Sequence, residues 1–238
     1  MELHISPTAE ATAQASAATL VELLRQAIEE RNIARIALAG GRTPRILYRH
    51  LADEYHDRLD WSRVEFYFGD ERLVPLDHPD SNFHMAQENL FKGLQLPNHQ
   101  LFPMLSNAQH DPEQNAWLYE KSLYRWAAED VPRLDIALLG MGEDGHFASL
   151  FPDTPALDER ERLVVVNPVE KLHSRRLTMT FPMFLAARHV IFLVTGKEKS
   201  AALSRVRDGD FTLPAGQLMQ QRDGLWFVDA AAAETSTP

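Results

Sequence analysis

Short apolar runs of strand length alternate with stretches of helical spacing along nearly the whole chain, and this alternation is its strongest constraint. Strand-like runs fall at residues 33–39, 64–68, 134–139, 163–166, 189–195 and 225–228, with helical patterns at 8–30, 43–53, 82–91, 112–129 and 197–206. A further short strand is expected at 177–180 and a short helix at 214–221. Strands that alternate with helices of this length need crossover connections, which make neighbouring strands parallel and cover both faces of the sheet. Leu20, Leu23, Leu24, Ala27 and Ile28 recur at helical spacing and give the first helix an apolar face to lay on that sheet. Asp111 before Pro112 is an N-cap followed by a proline where a first helical turn tolerates one. The spacing predicts an α/β, Rossmann-like fold: a single doubly wound, largely parallel sheet with helices on both faces, over residues 1–229. Residues 230–238 are small and polar and are expected to be a flexible tail. A chain of 238 residues can bury a substantial core in one such domain.

Composition narrows the function. There are 24 basic against 34 acidic residues, a net charge of −10, and no basic run longer than Arg175-Arg176. A nucleic-acid-binding protein would carry a basic face, so nucleic acid is not an expected partner. The absence of cysteine excludes disulfides, thiolate catalysis and cysteine-ligated zinc. Residues 1–11 have neither the basic start nor the apolar core of a secretory signal, and no apolar stretch approaches the length of a membrane span. A cytoplasmic protein without a membrane partner is expected.

Ligands of an open parallel sheet bind outside the carboxyl ends of its strands. Four unusual polar clusters sit at such ends here. They are Gly40-Gly41-Arg42-Thr43-Pro44, then Gly69-Asp70-Glu71-Arg72, then Gly140-Met141-Gly142-Glu143-Asp144-Gly145-His146, and finally Gly196-Lys197-Glu198-Lys199. All four should face one crevice. Gly40, Gly41 and Thr43 suit an anion cradle, combining close backbone approach, a helix N-terminus and a hydroxyl. A tight strand-to-helix turn with Thr43 as N-cap would look the same. Arg72, Arg176, Lys197 and Lys199 are the cations available to that anion, and a positive pocket in an acidic chain would indicate an anionic ligand.

Gly140, Gly142 and Gly145 also match the dinucleotide fingerprint G-x-G-x-x-G. Its context is missing. Pro152 stops the following helix early, and the next apolar run ends in Asn167-Pro168 rather than in a carboxylate. No cofactor is expected. His146 remains as a proton carrier suited to neutral pH, with Asp144 the first candidate to orient it and Asp70 the second. No metal is expected, since His78 and His84 are six apart and H-E-x-x-H is absent. Ser149 is no nucleophile elbow, having Phe147 and Phe151 where glycines belong.

Together these motifs resemble the 6-phosphogluconolactonase family. The resemblance rests on residues 39–44, 69–75 with Ser81-Asn82, 139–152, 176–180, 195–199 and 225–229, in order and with correct internal spacing. It implies the sugar-phosphate-isomerase-like fold and cofactor-free hydrolysis of 6-phospho-D-glucono-1,5-lactone to 6-phosphogluconate in the oxidative pentose phosphate pathway. The domain at residues 1–229 would then be a single lactonase domain. His146 would be the general base, with Asp144 and Asp70 beside it. Gly40, Gly41, Thr43, Arg72, Gly142, Gly145, Arg176 and Lys199 would hold the phosphosugar lactone. A functional association with glucose-6-phosphate dehydrogenase is the further partner considered.

Two rival readings share this fold. A glucosamine-6-phosphate deaminase would usually carry Tyr where Arg72 stands, and an Ile-Ala-Phe-Asn-Glu-Pro type ending where this chain has Ala-Ser-Leu-Phe-Pro. A non-catalytic sugar-phosphate sensor would bring a basic DNA-binding domain, for which this chain has neither room nor charge.

Overall fold

The computed structural model describes residues 1–105, 111–127 and 131–234. Among them nine strands form: β1 (Glu2–Ser6), β2 (Ala34–Leu38), β3 (Val64–Phe68), β4 (Asp70–Arg72), β5 (Ile136–Gly140), β6 (Val164–Val169), β7 (Ser174–Met179), β8 (His189–Val194) and β9 (Leu225–Asp229). The α-helices among the described residues are α1 (Ala9–Arg31), α2 (Arg42–Glu54), α3 (Asn82–Ala86), α4 (Lys92–Leu94), α5 (Pro112–Leu123), α6 (Phe181–Ala186), α7 (Ser200–Arg207), α8 (Pro214–Gln221) and α9 (Ala230–Ala233).

Six strands make one sheet in the order β1-β9-β8-β5-β2-β3, with every pairing parallel. The expected helix-flanked parallel sheet is therefore present. Its inner strands read as unbroken apolar runs because both their faces are covered: Ile136 to Leu139 of β5 and Val190 to Val194 of β8 are buried. Phe192 stacks on Trp226 of the neighbouring strand at 4.0 Å, and Phe147 packs edge-on against Phe181, Phe184 and Phe192. From β2 the chain runs outward to β3, then returns to β5 on the other side of β2. That reversal parts the loops after β2 and β5 and opens a crevice at their carboxyl ends.

The structure departs from expectation in four places. The strands expected at 163–166 and 177–180 do not join the main sheet; with β4 they form a separate antiparallel sheet in the order β4-β7-β6. Gly69 joins the two sheets, donating to Leu38 at 3.0 Å and accepting from Met179 at 2.8 Å. β1 was not expected, because as an edge strand it pairs only with β9 and stays half exposed. The helix expected at 82–91 continues to Leu94 through a π-helical turn at Gln87–Phe91. Part of the expected tail is folded: Asp229 accepts from the backbone of Ala232, capping α9, and Ala232 is buried. Residues 128–130, from the end of the helix expected at 112–129, and 235–238, from the expected tail, lie outside the described residues. Among the described residues no helix is long and apolar enough to cross a membrane.

Candidate active site

The crevice between β2 and β5 holds a cavity of about 250 Å³, walled by the carboxyl ends of β2, β3, β5 and β8. It brings Gly40, Gly41, Thr43, Asp70, Arg72, Gly142, His146 and Lys199 together from four separate stretches of chain. An adjoining hollow of about 490 Å³ over the small sheet shares Asp70, Arg72, Gly142, His146 and Lys199 and adds Asp144, Lys171 and Arg176. Gly145 lines neither. A side chain there would meet Leu213, and its amide donates to the Gly142 carbonyl, so it shapes the turn instead.

One wall suits an anion. Helix α2 begins at Arg42 with Gly41, at φ 104°, as its cap, and no side chain occupies the N–H groups of the first turn. Thr43 is not the cap. Its hydroxyl is 2.6 Å from that of Thr195 at the end of β8, which ties the two strand ends together. Lys199 supplies the nearby cation, its side chain only 21% exposed and Nζ 3.9 Å from Glu143. Lys197 turns outward to Glu234 and lines neither hollow. Arg42 is a rim residue paired with Glu198 at 2.9 Å.

The opposite wall carries the imidazole of His146. After β5 the chain turns tightly, with the Gly142 amide donating to the His146 carbonyl at 2.8 Å. The imidazole lies directly on Gly142, where an added Cβ would stand 2.0 Å from Nδ1, so only glycine leaves the ring its place. Asp144 Oδ1 is 2.5 Å from His146 Nδ1 and also accepts the His146 backbone N–H at 3.2 Å. With the carboxylate at Nδ1, the neutral ring keeps its proton there and Nε2 carries the free lone pair. Phe151 stacks on the ring at 3.9 Å. Burial pushes the His146 pKa down to about 4; the charge of Asp70 opposes this and that of Lys199 adds to it. The ring is thus held neutral, the form a general base requires.

Asp70 stands apart from this pair. Its buried carboxylate accepts from Ser149 Oγ at 2.6 Å and from Asn82 Nδ2 at 3.3 Å. Ser149 is therefore buried on a carboxylate and not exposed as a nucleophile. Glu71 points the other way, accepting from the amides of Arg72, Asn82 and Phe83 and from the Ser81 hydroxyl. It pins the start of α3, which sets Asn82 between Gly40 and Asp70. Burial raises its pKa, while these donors hold it back. Arg72 donates to the Asp80 carbonyl at 2.7 Å, and its buried Nε has no protein partner. Arg176 faces Arg72 across the β4–β7 pairing. Burial, and then the Arg72 charge, weaken its hold on its proton.

Three contributors escaped sequence reasoning. Thr195 lacks an activated setting in the sequence, Phe151 reads as an ordinary core residue, and Lys171 lies on the turn between β6 and β7. No spacing rule links Lys171 to His146. Among the described residues no three His, Asp or Glu side chains gather as a metal-binding group.

The sequence profile of the family described as glucosamine-6-phosphate isomerases/6-phosphogluconolactonase matches residues 7–226. This chain belongs to that family. A 6-phosphogluconolactonase of Synechocystis sp. is 40% identical over 221 residues, covering 90% of each chain. The structure of a 6-phosphogluconolactonase from Trypanosoma cruzi superposes with a TM-score of 0.85 at 30% identity, over 100% of this chain and 97% of that one. A monomeric glucosamine-6-phosphate deaminase also superposes, with a TM-score of 0.82 over 98% of this chain and 99% of its own. At 23% identity that is a likeness of fold alone.

Proposed function

We propose that this chain is an enzyme that hydrolyses 6-phospho-D-glucono-1,5-lactone to 6-phosphogluconate, the lactonase step of the oxidative pentose phosphate pathway. The observation that carries the reading is a neutral, carboxylate-oriented histidine facing an uncapped helix N-terminus across one cavity. The lactonase relatives agree with it over nearly the full chain. The superposed deaminase is only 23% identical and supports no more than the shared fold.

In this reading the phosphate sits at the first turn of α2, against Gly40, Gly41 and Thr43, with Lys199 balancing its charge. Arg176 contacts the sugar from the small sheet. That remote binding energy places the lactone carbonyl near His146. Nε2 takes a proton from water as the water oxygen bonds to C1. The C1–ring oxygen bond then breaks, and the same proton passes from Nε2 to the ring oxygen. Gly142 and Gly145 have already committed their amides within the turn, so the Arg72 guanidinium, which lines the cavity, is the donor assigned to the oxyanion. Asp70 holds Ser149 and Asn82 and sets the field at the imidazole. Functional association with glucose-6-phosphate dehydrogenase belongs to the same reading; co-elution of the two proteins tests it.

The test is a lactonase assay on freshly generated substrate with spontaneous hydrolysis subtracted. The wild type should turn over well above background. His146→Ala should lose most of kcat, and Lys199→Ala should mainly raise KM. Ammonia release from glucosamine-6-phosphate, with no lactonase activity, would replace this reading with the deaminase one.

A further inference from the structure

The hollow over the small sheet contains a cation to which the mechanism above gives no role. Lys171 lies on the turn Glu170–Leu172 that joins β6 to β7, and its ammonium contacts Oδ2 of Asp144. Oδ1 of the same carboxylate holds His146. Nζ of Lys171 also lies 4.5 Å from the centroid of Phe151, the ring stacked on the imidazole. The carboxylate at the edge of the base and the aromatic on its face are thus both engaged by one side chain, which comes from the small sheet and not from the turn carrying the base.

We propose that Lys171 is a positioning residue for lactone hydrolysis, holding Asp144 against Nδ1 of His146 and sharing the carboxylate's charge. The proposal rests on the lactonase reading. Its physical basis is a conflict in what Asp144 must do. A carboxylate beside an imidazole fixes the tautomer, but it also favours the protonated ring, which cannot act as a base. A lysine on the other oxygen keeps the orientation and weakens that pull. The other charges around the ring are Asp70 and Lys199, with Arg72, Arg176 and Glu143 in the same hollow. Among the described residues, the ion pairs of Asp144 are those with His146 and Lys171, and none of these other charges shares them. Its side chain is 50% exposed, so truncation leaves the core intact.

The experiment is a double-mutant cycle of Lys171→Met and Asp144→Asn, with kcat and KM measured across pH and His146 titrated by NMR. Lys171→Met should lower kcat about fivefold, the size expected of a half-exposed ion pair, with KM nearly unchanged. The acid limb of the rate and the His146 titration should both move to higher pH. Lys171→Arg should restore both, and in the Asp144→Asn background Lys171→Met should cost nothing more. Additive losses, a loss carried by KM, or an unmoved His146 titration would each overturn the proposal. A wild type without lactonase activity would refute the functional reading, whereas an active wild type indifferent to Lys171→Met refutes this inference alone.

Discussion

At the scale of the residue, the site depends on keeping one imidazole neutral and oriented. Burial depresses the His146 pKa to about 4, below the roughly 6.5 of an unfolded chain. Between those values the unfolded state binds the extra proton, so this group's contribution to stability is intact above about pH 6.5 and falls as the pH drops toward 4. The loss is on the order of 3 kcal/mol. His146→Gln should flatten the decline of the urea midpoint across this window, and an unchanged pH dependence would contradict the burial argument. The acid limb of kcat/KM should likewise lie near 4. His146, Asp144 and the glycine beneath the ring were all legible in the sequence, because they sit within five residues of one another. Lys171 and Phe151 were not, since a lysine on a distant turn and a phenylalanine in an apolar run carry no mark of what they touch.

At the scale of the element, strand ends and helix starts do the positioning. Helix α2 starts with bare N–H groups because Gly41 cannot cap them with a side chain, and this leaves them to a ligand. The start of α3 is the opposite case, tied down by a buried carboxylate from β4. Glu71→Gln replaces an acceptor of four hydrogen bonds with a group that must also donate. It should destabilise the fold by about 2 kcal/mol, read as a lowered urea midpoint with the slope unchanged. An unaltered midpoint would mean that Glu71 does not hold α3. The clusters at the strand ends were readable because glycine and charge there interrupt apolar runs. The small sheet was misplaced because a short strand carries no signal of its partner: residues 163–166 and 177–180 have the composition of strands in either sheet. What separates them is the partial exposure of β6 and of the first half of β7, a property of the packed molecule.

At the scale of the whole molecule, a chain of net charge −10 gathers Arg72, Lys171, Arg176 and Lys199 around one crevice. Such a crevice should select for phosphate. Saturating 6-phosphogluconate at a hundredfold excess over its Kd should stabilise the protein by about 2.7 kcal/mol, while gluconate should leave Tm unmoved. Equal stabilisation by both would remove the phosphate from the proposed cradle. By itself the sequence determined the α/β class, the clusters at the strand ends and the histidine that follows the third of them, because periodicity and local motifs act over a few residues. Tertiary structure alone decided that β2 and β5 flank the reversal of strand order, that Lys199 and not Lys197 enters the cavity, and that Lys171 meets Asp144. Those outcomes depend on which distant segments pack together, and pairing between segments a hundred residues apart leaves no trace in either one alone.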